Sequence, residues 1–177
     1  MNEAFDLQAG PVTASLVVSA TGSAVSEQGT SKGLGNSTDL SLLKWFRNRS
    51  EIVLTSGKTA ELENYRLPST AQLAILSRTD RIYQSLGQDK TKVIFLEKLA
   101  SFGSAIDELR TRGYERIHCE FGPTGFVDLL NQNLTAGFVS SVNVTGIELF
   151  AKQHELLVGT VEEFGGDLLV ARLLGRG

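Results

Sequence analysis

The chain has 177 residues, 41% of them hydrophobic and 21% charged, with a net charge of −3. That composition suits one soluble globular domain and offers no general attraction for nucleic acid or an anionic membrane. One cysteine and two histidines exclude a disulfide framework, fit a reducing cytoplasmic setting, and argue against a zinc site of the usual ligand set.

The N-terminus "MNEAFDLQAG" has neither the basic nor the apolar region of a signal peptide, and no apolar run reaches the length of a membrane span. "PVTASLVVSA" (11–20) reads as a strand rich in β-branched residues. "TGSAVSEQGTSKGLGNST" (21–38) is a Gly/Ser/Thr-rich loop, and a loop of that length inside a compact domain is mobile or functional. "STDLSLLKWFRNRS" (37–50) predicts a helix capped by Ser37, Thr38 or Asp39, with Leu42, Leu43 and Phe46 at helical spacing.

"EIVLTS" (51–56) predicts a buried strand, "KTAELENY" (58–65) a short helix, and "AQLAILSRT" (71–79) and "KVIFLE" (92–97) two further strands. "GSAIDELRTRGY" (103–114) predicts a helix stopped by Gly113. "RIHCEF" (116–121) predicts a strand and "PTGFVDLLNQN" (123–133) a helix with proline near its first position. Three strand-like segments close the chain, at 138–144, 155–161 and 167–173, the last two joined as a hairpin at Gly165-Gly166. Strands alternating with amphipathic helices predict one α/β domain over 1–177. Its sheet is mostly parallel with an antiparallel C-terminal edge, and helices cover both faces. Ligands of such sheets gather at the carboxyl ends of the strands. Those ends are the loop after Ala20, the turn at 55–59, the "SRT" after Leu76 and the "EFGP" turn.

Several of these places carry their own chemistry. In "EFGPTGF", a helix starting at Pro123 leaves N–H groups unpaired beside its positive dipole end, which suits a pyrophosphate. The plainer reading is an ordinary strand-to-helix turn. "SGKT" (56–59) is either a second phosphate-facing turn or a capped short helix, and lacks Walker A spacing. Asp39 near a helix start caps it or meets a ligand, and Lys32 in the loop is solvated or meets a substrate phosphate. Cys119 is a small buried strand residue.

In order and spacing, "SATG" (19–22), "GTSKGLGNSTD" (29–39), "EIVLTSGKT" (51–59), "AILSRT" (74–79), "RGYERIHCEFGPT" (112–124) and "GGDLLVAR" (165–172) resemble one family. It is the pyrimidine-reductase domain of the riboflavin-biosynthesis deaminase/reductase, on the dihydrofolate reductase-like fold. The resemblance runs from about Val12 to Arg172. It implies NADPH as cofactor, a phosphorylated ribosylaminopyrimidine as substrate, and a homodimer. Carried over position by position, it places the cofactor against Gly57, Thr59, Ser77, Arg78, Glu120, Gly122, Pro123 and Thr124. Ser77 and Arg78 would take the 2′-phosphate. Asp39 and Lys32 would meet the substrate, and the Phe121–Gly122 peptide would be cis. The chain departs from the family at Thr21, where the family has Asp, and at Ser56, Lys58 and Phe121, where it has Gly. These departures point to a second reading, a non-catalytic nucleotide-binding or assembly protein on the same fold. Dihydrofolate reductase proper is not implied, since its W-x-x-P-x-D signature is missing.

Overall fold

The computed structural model describes residues 10–78, 92–97 and 99–176. Eight strands form one sheet in the order β4-β3-β2-β5-β1-β6-β8-β7. They are β1 (Val12–Val17), β2 (Ile52–Ser56), β3 (Gln72–Ser77), β4 (Val93–Glu97), β5 (Ile117–Glu120), β6 (Ala136–Ser141), β7 (Leu157–Phe164) and β8 (Leu168–Leu174). Neighbours from β4 to β6 pair in parallel, and β8 pairs antiparallel with both β6 and β7. The expected mostly parallel sheet with an antiparallel C-terminal edge is therefore present. Gly165 and Gly166, both at positive φ, make the hairpin between β7 and β8.

The helices among the described residues are α1 (Ser37–Arg49), α2 (Gly57–Leu62), α3 (Phe102–Thr111), α4 (Pro123–Asn131) and α5 (Val144–Gln153). The last was not predicted: the expected strand ends at Val144, and nothing is assigned to the residues that follow it directly. Instead β6 stops at Ser141, and Asn143 caps α5 by accepting the Gly146 N–H. The cap of α1 is Asn36, which accepts from Thr38 and Asp39 N–H, not any of the three residues named for that role. Asp39 is thereby released from capping.

The period-two pattern of the strands sorts the two faces. Val12, Ala14 and Leu16 of β1, with Ile117 and Cys119 of β5, join the main core with Ile106, Leu109, Phe126, Leu129, Ile147 and Phe150 of α3, α4 and α5. The other face takes α1, whose Leu42 and Phe46 pack on Phe138, Leu168 and Val170. It also takes α2, whose Ala60 packs with Val53, Leu73, Ile75 and Tyr65. Helices thus cover both faces.

The C-terminal "DLLVARLL" is an apolar run near the end of the chain. Most of it is buried within the chain, with Leu168, Val170, Ala171 and Leu173 between 0% and 1% exposed. Within this C-terminal hairpin the exposed large apolar residues are Leu157, Val158 and Val161 of the edge strand β7 and Leu174 at the end of β8.

The loop after β1 turns through Gly22 at φ +81°, and a Cβ there would lie 2.8 Å from Leu149 Cβ and 2.9 Å from the Phe150 nitrogen of α5. Gly22→Ala would meet both a left-handed backbone and a closed contact. It is expected to lower the unfolding free energy by about 2–5 kcal/mol in urea titrations, and a loss below about 1 kcal/mol would mean that the turn relaxes away from α5.

Candidate functional site

The carboxyl ends of β1, β2 and β5 border a cavity of about 870 Å³ roofed by the Gly-rich loop, α1, α2 and the start of α4. Lys32, Asp39, Thr59, Glu120, Gly122, Pro123 and Thr124, all singled out from sequence, line it together. Gly57 and Ser77 are buried, and neither stands in its wall among the described residues. Arg78 lies one residue past β3 and is exposed, and the Thr79 that follows it lies outside the described residues.

The β5-to-α4 turn differs from the expected form. No cis peptide occurs among the described residues, so Phe121–Gly122 is trans. A cis bond ahead of a non-glycine turn costs about 3 kcal/mol, and nothing in this turn requires one. Phe121 is 5% exposed and joins the main core, its ring 4.3 Å from that of Phe102. Gly125 makes the room: a Cβ at that position would lie 2.9 Å from Phe121 Cβ. The Phe side chain therefore packs behind the turn and the groove stays open. Gly122 caps α4 without any side-chain hydrogen bond, and Pro123 has no N–H to satisfy. The first-turn donors of a nine-residue helix are left for a ligand or solvent. α2 is different. Ser56 Oγ accepts the Thr59 N–H at 3.1 Å and also lies 2.9 Å from Thr59 Oγ1, which is the capped-helix reading of "SGKT". Thr59 still lines the cavity, beside Lys58.

The floor holds a network that sequence reasoning did not find. Arg47 of α1 donates from Nε to Glu120 Oε1 and from Nη2 to Glu120 Oε2, each at 2.7 Å, in a bidentate pair. Arg47 Nη2 also lies 2.8 Å from Tyr65 Oη, and Tyr65 Oη donates to Glu120 Oε2. Thr55 Oγ1 donates to the Glu120 carbonyl at 2.6 Å. Burial works against the Glu120 anion, but the Arg47 hydrogen bonds and nearby positive charge prevail and hold its carboxyl below the ordinary value. Burial and the neighbouring carboxylate push the Tyr65 phenol well up. His118 lies one layer deeper, fully buried, with Nδ1 2.8 Å from Thr13 Oγ1 and Nε2 3.0 Å from Ser15 Oγ. Its ring stacks on Phe46 at 4.8 Å, and burial pushes its pKa down to about 4, so it is neutral at pH 7. Asp39 sits at the other end of α1 from Arg47, and its Oδ1 accepts from Ser140 Oγ at 2.6 Å.

No protein-family model matches the chain, and no curated protein matches it in sequence. Solved structures do. A pyrimidine reductase-like protein of Corynebacterium diphtheriae aligns with TM-score 0.65 at 20% identity, over 92% of this chain and 90% of its own. A diaminohydroxyphosphoribosylaminopyrimidine deaminase/5-amino-6-(5-phosphoribosylamino)uracil reductase of Thermotoga maritima aligns with TM-score 0.66 at 14% identity, over 95% of this chain and 57% of its own. Dihydrofolate reductase of Enterococcus faecalis, complexed with NADP(H) and RAB-propyl, aligns with TM-score 0.56 at 12% identity, over 93% of this chain and 96% of its own. The chain has the dihydrofolate reductase-like fold and resembles pyrimidine reductases in structure. Among the described residues no helix is long and apolar enough to cross a membrane.

Two outcomes test the floor. Arg47→Ala leaves the Glu120 carboxylate buried without its cation and is expected to cost about 3–5 kcal/mol of stability in chemical denaturation. The second is a pH limb. The depressed His118 value means that the unfolded chain takes up a proton below about 6.5 while the folded one resists until about 4. Stability therefore falls as pH drops through that window, by an amount of order 3 kcal/mol for this group. The depressed Glu120 value adds a loss in the same direction below pH 4.5. His118→Phe, which keeps a ring against Phe46, is expected to flatten the upper limb in thermal melts from pH 7 to pH 4.

Proposed function

We propose that the chain is a cytoplasmic NADPH-dependent reductase acting on the ribosyl group of a ribosylaminopyrimidine phosphate. The observation that carries this reading is the cavity of about 870 Å³ at the strands' carboxyl ends, entered by an uncapped helix N-terminus. Its size lies within the roughly 300–1,000 Å³ typical of ligand sites. The residues present fit a dinucleotide. The Phe121 ring is packed behind the turn, and the N–H groups of Thr124 and Gly125 receive no side-chain cap. Gly122, Pro123, Thr124 and Thr59 would hold the pyrophosphate portion. Gly57 supports the α2 turn from behind, Glu120 braces the floor, and Ser77 and Arg78 at the end of β3 would take the 2′-phosphate. Lys32 and Asp39 would meet the substrate. Bound NADPH supplies a hydride for the C1 carbon of the opened ribose or its imine. The chain's own work is to align the two molecules and exclude water.

A second reading is a nucleotide-binding or assembly protein without turnover. It is favoured by α2, where Ser56 takes up the N–H that a phosphate would use. Fluorescence titration with NADPH, with NADH as control, joined to an oxidation assay, separates the two readings. Binding with turnover supports the first, binding without turnover the second, and no binding defeats both as nucleotide proteins. Arg78→Ala is expected to weaken NADPH by about 1.5–3 kcal/mol and to leave NADH unchanged. Equal effects on both cofactors would remove Arg78 from the site.

The same reading includes a homodimer, for which the open edge strand supplies a surface. Leu157 is 48% exposed, with Val158 and Val161 beside it on an edge strand that pairs only with β8 among the described residues. Light scattering is expected to give twice the chain mass, reverting to a monomer in Leu157→Lys/Val161→Lys. A monomer at every concentration would reject it.

A further inference from the structure

Ser15 of β1 is half-buried, and its residue stands in the cavity wall. His118 of β5 lies behind it, fully buried and outside that wall. The imidazole is held at both nitrogens: Nδ1 lies 2.8 Å from Thr13 Oγ1 and Nε2 lies 3.0 Å from Ser15 Oγ. A neutral imidazole carries one proton, so one hydroxyl donates to the ring and the other accepts from it. The surroundings decide which. Glu120 Oε1 lies 3.8 Å from Nε2, and Arg47 holds that carboxylate as an anion. A lone pair on Nε2 would face the carboxylate, whereas an N–H there turns its positive end toward it. Arg47 acts on the ring in the opposite sense and less strongly. With the proton on Nε2, Thr13 donates to Nδ1 and Nε2–H donates to Ser15 Oγ. The Ser15 O–H is then left without a protein acceptor among the described residues.

We propose that the hydrogen-bond chain from Thr13 through His118 to Ser15 ends in the cavity as a donor of fixed direction, and that Ser15 reads a carbonyl oxygen of the substrate's pyrimidine ring; the identity of that substrate rests on the reductase reading above. Donors linked in series strengthen one another, so the last O–H is a better donor than a lone serine. Other hydroxyls of the cavity are already committed. Tyr65 donates to Glu120, Ser140 donates to Asp39, and Ser56 and Thr59 lie 2.9 Å apart. The strand register puts Ser15 on the substrate side. Val17 of β1 pairs with Ser140 of β6, so Ser15 and Ser140 lie on one face of adjacent strands, and Ser140 carries Asp39. A ring carbonyl accepts the Ser15 proton directly, while an amino group in its place leaves that O–H unpaired. Ser15 is thus a specificity-determining residue, and Thr13 and His118 are positioning residues.

The tautomer is tested first, in the ligand-free protein. Nitrogen-15 NMR of labelled histidine, with the His118 signals identified by their loss in His118→Phe, is expected to show a protonated Nε2 and a bare Nδ1 near neutral pH. The reverse pattern overturns the proposal, because Ser15 would then donate to the ring and not to a ligand. The second measurement uses 5-amino-6-(5-phosphoribosylamino)uracil, carbon-13 labelled at its ring carbonyls. Infrared difference spectra are expected to show one carbonyl band moving to lower frequency on binding to the wild type, and Ser15→Ala is expected to lose that shift. Ser15→Ala should also weaken this ligand by about 3–10-fold, the worth of one neutral hydrogen bond, and leave NADPH within about twofold. Ser15→Thr, which keeps the hydroxyl, should restore both the band shift and most of the affinity. A merely structural serine would move neither. A wild-type complex without the carbonyl shift, or a Ser15→Ala protein that keeps the shift and the affinity, overturns the role of Ser15 alone. Wild-type protein that binds neither NADPH nor this ligand overturns the reductase reading, and the carbonyl assignment with it.

Discussion

The structure depends on one ion pair. Glu120 ends the central strand β5, and its carboxylate is gripped at both oxygens by Arg47 near the end of α1. Tyr65, just past α2, closes the same carboxylate from the other side. Three segments distant in sequence are thus pinned to one point of the sheet. Burying two charges is unfavourable in itself, and such a pair survives only when its hydrogen-bonding capacity is met. Here the tyrosine hydroxyl meets part of it, and Thr55 satisfies the Glu120 carbonyl. The consequence reaches beyond the pair. α1 places Asp39 eight residues before Arg47, about 12 Å along a helix axis. Fixing one end of the helix therefore aims the other end at the cavity.

Strand parity explains why a site lies under α1 and not on the opposite face. Val12, Ala14, Leu16, Ile117 and Cys119 turn to the main core. The intervening Thr13, Ser15, His118 and Glu120 must then face α1. That row would be an expensive interior if its members were unpaired, but His118 bridges Thr13 and Ser15 and stacks on Phe46. Because its ring stays neutral, His118 adds no second charge beside the Arg47–Glu120 pair. At the cavity end the row continues through Ser15 and Ser140, so the polar interior and the cavity wall form one surface.

How much of this could be read from the sequence follows from range. The strands of the parallel sheet and helices α1, α3 and α4 are written in local periodicity. α5 was not recognised because Val144, Thr145 and Ile147 are β-branched and follow directly on a strand; the missed signal was Asn143, an N-cap residue at its head. Asn36 escaped for the same reason, as one more polar residue among several. Strand-end logic pointed to Glu120, Thr124, Thr59 and Lys32, and the helix start to Asp39; these five line one cavity, while Ser77 and Gly57 do not stand in its wall. Their partners stayed invisible. Arg47 is 73 residues from Glu120, Tyr65 is 55, and Ser140 is 101 from Asp39. No local pattern encodes such pairs.

The opening turn of α4 is held by packing rather than by backbone freedom. A glycine pair would give this turn freedom of backbone. Here the first position is Phe121, the peptide is trans, and Gly122 sits in extended backbone at φ −66° and ψ 175°. The freedom has been replaced by packing: the Phe121 ring is buried against Phe102 in a space that only a residue without a side chain at 125 leaves open. Phe121 and Gly125 therefore act as a pair. The turn is held from behind by an aromatic contact, and its front, where the uncapped N-terminus of α4 meets the cavity, is left clear. The departure at Phe121 is thus met by a contact behind the turn, and it does not fill the cavity in front of it.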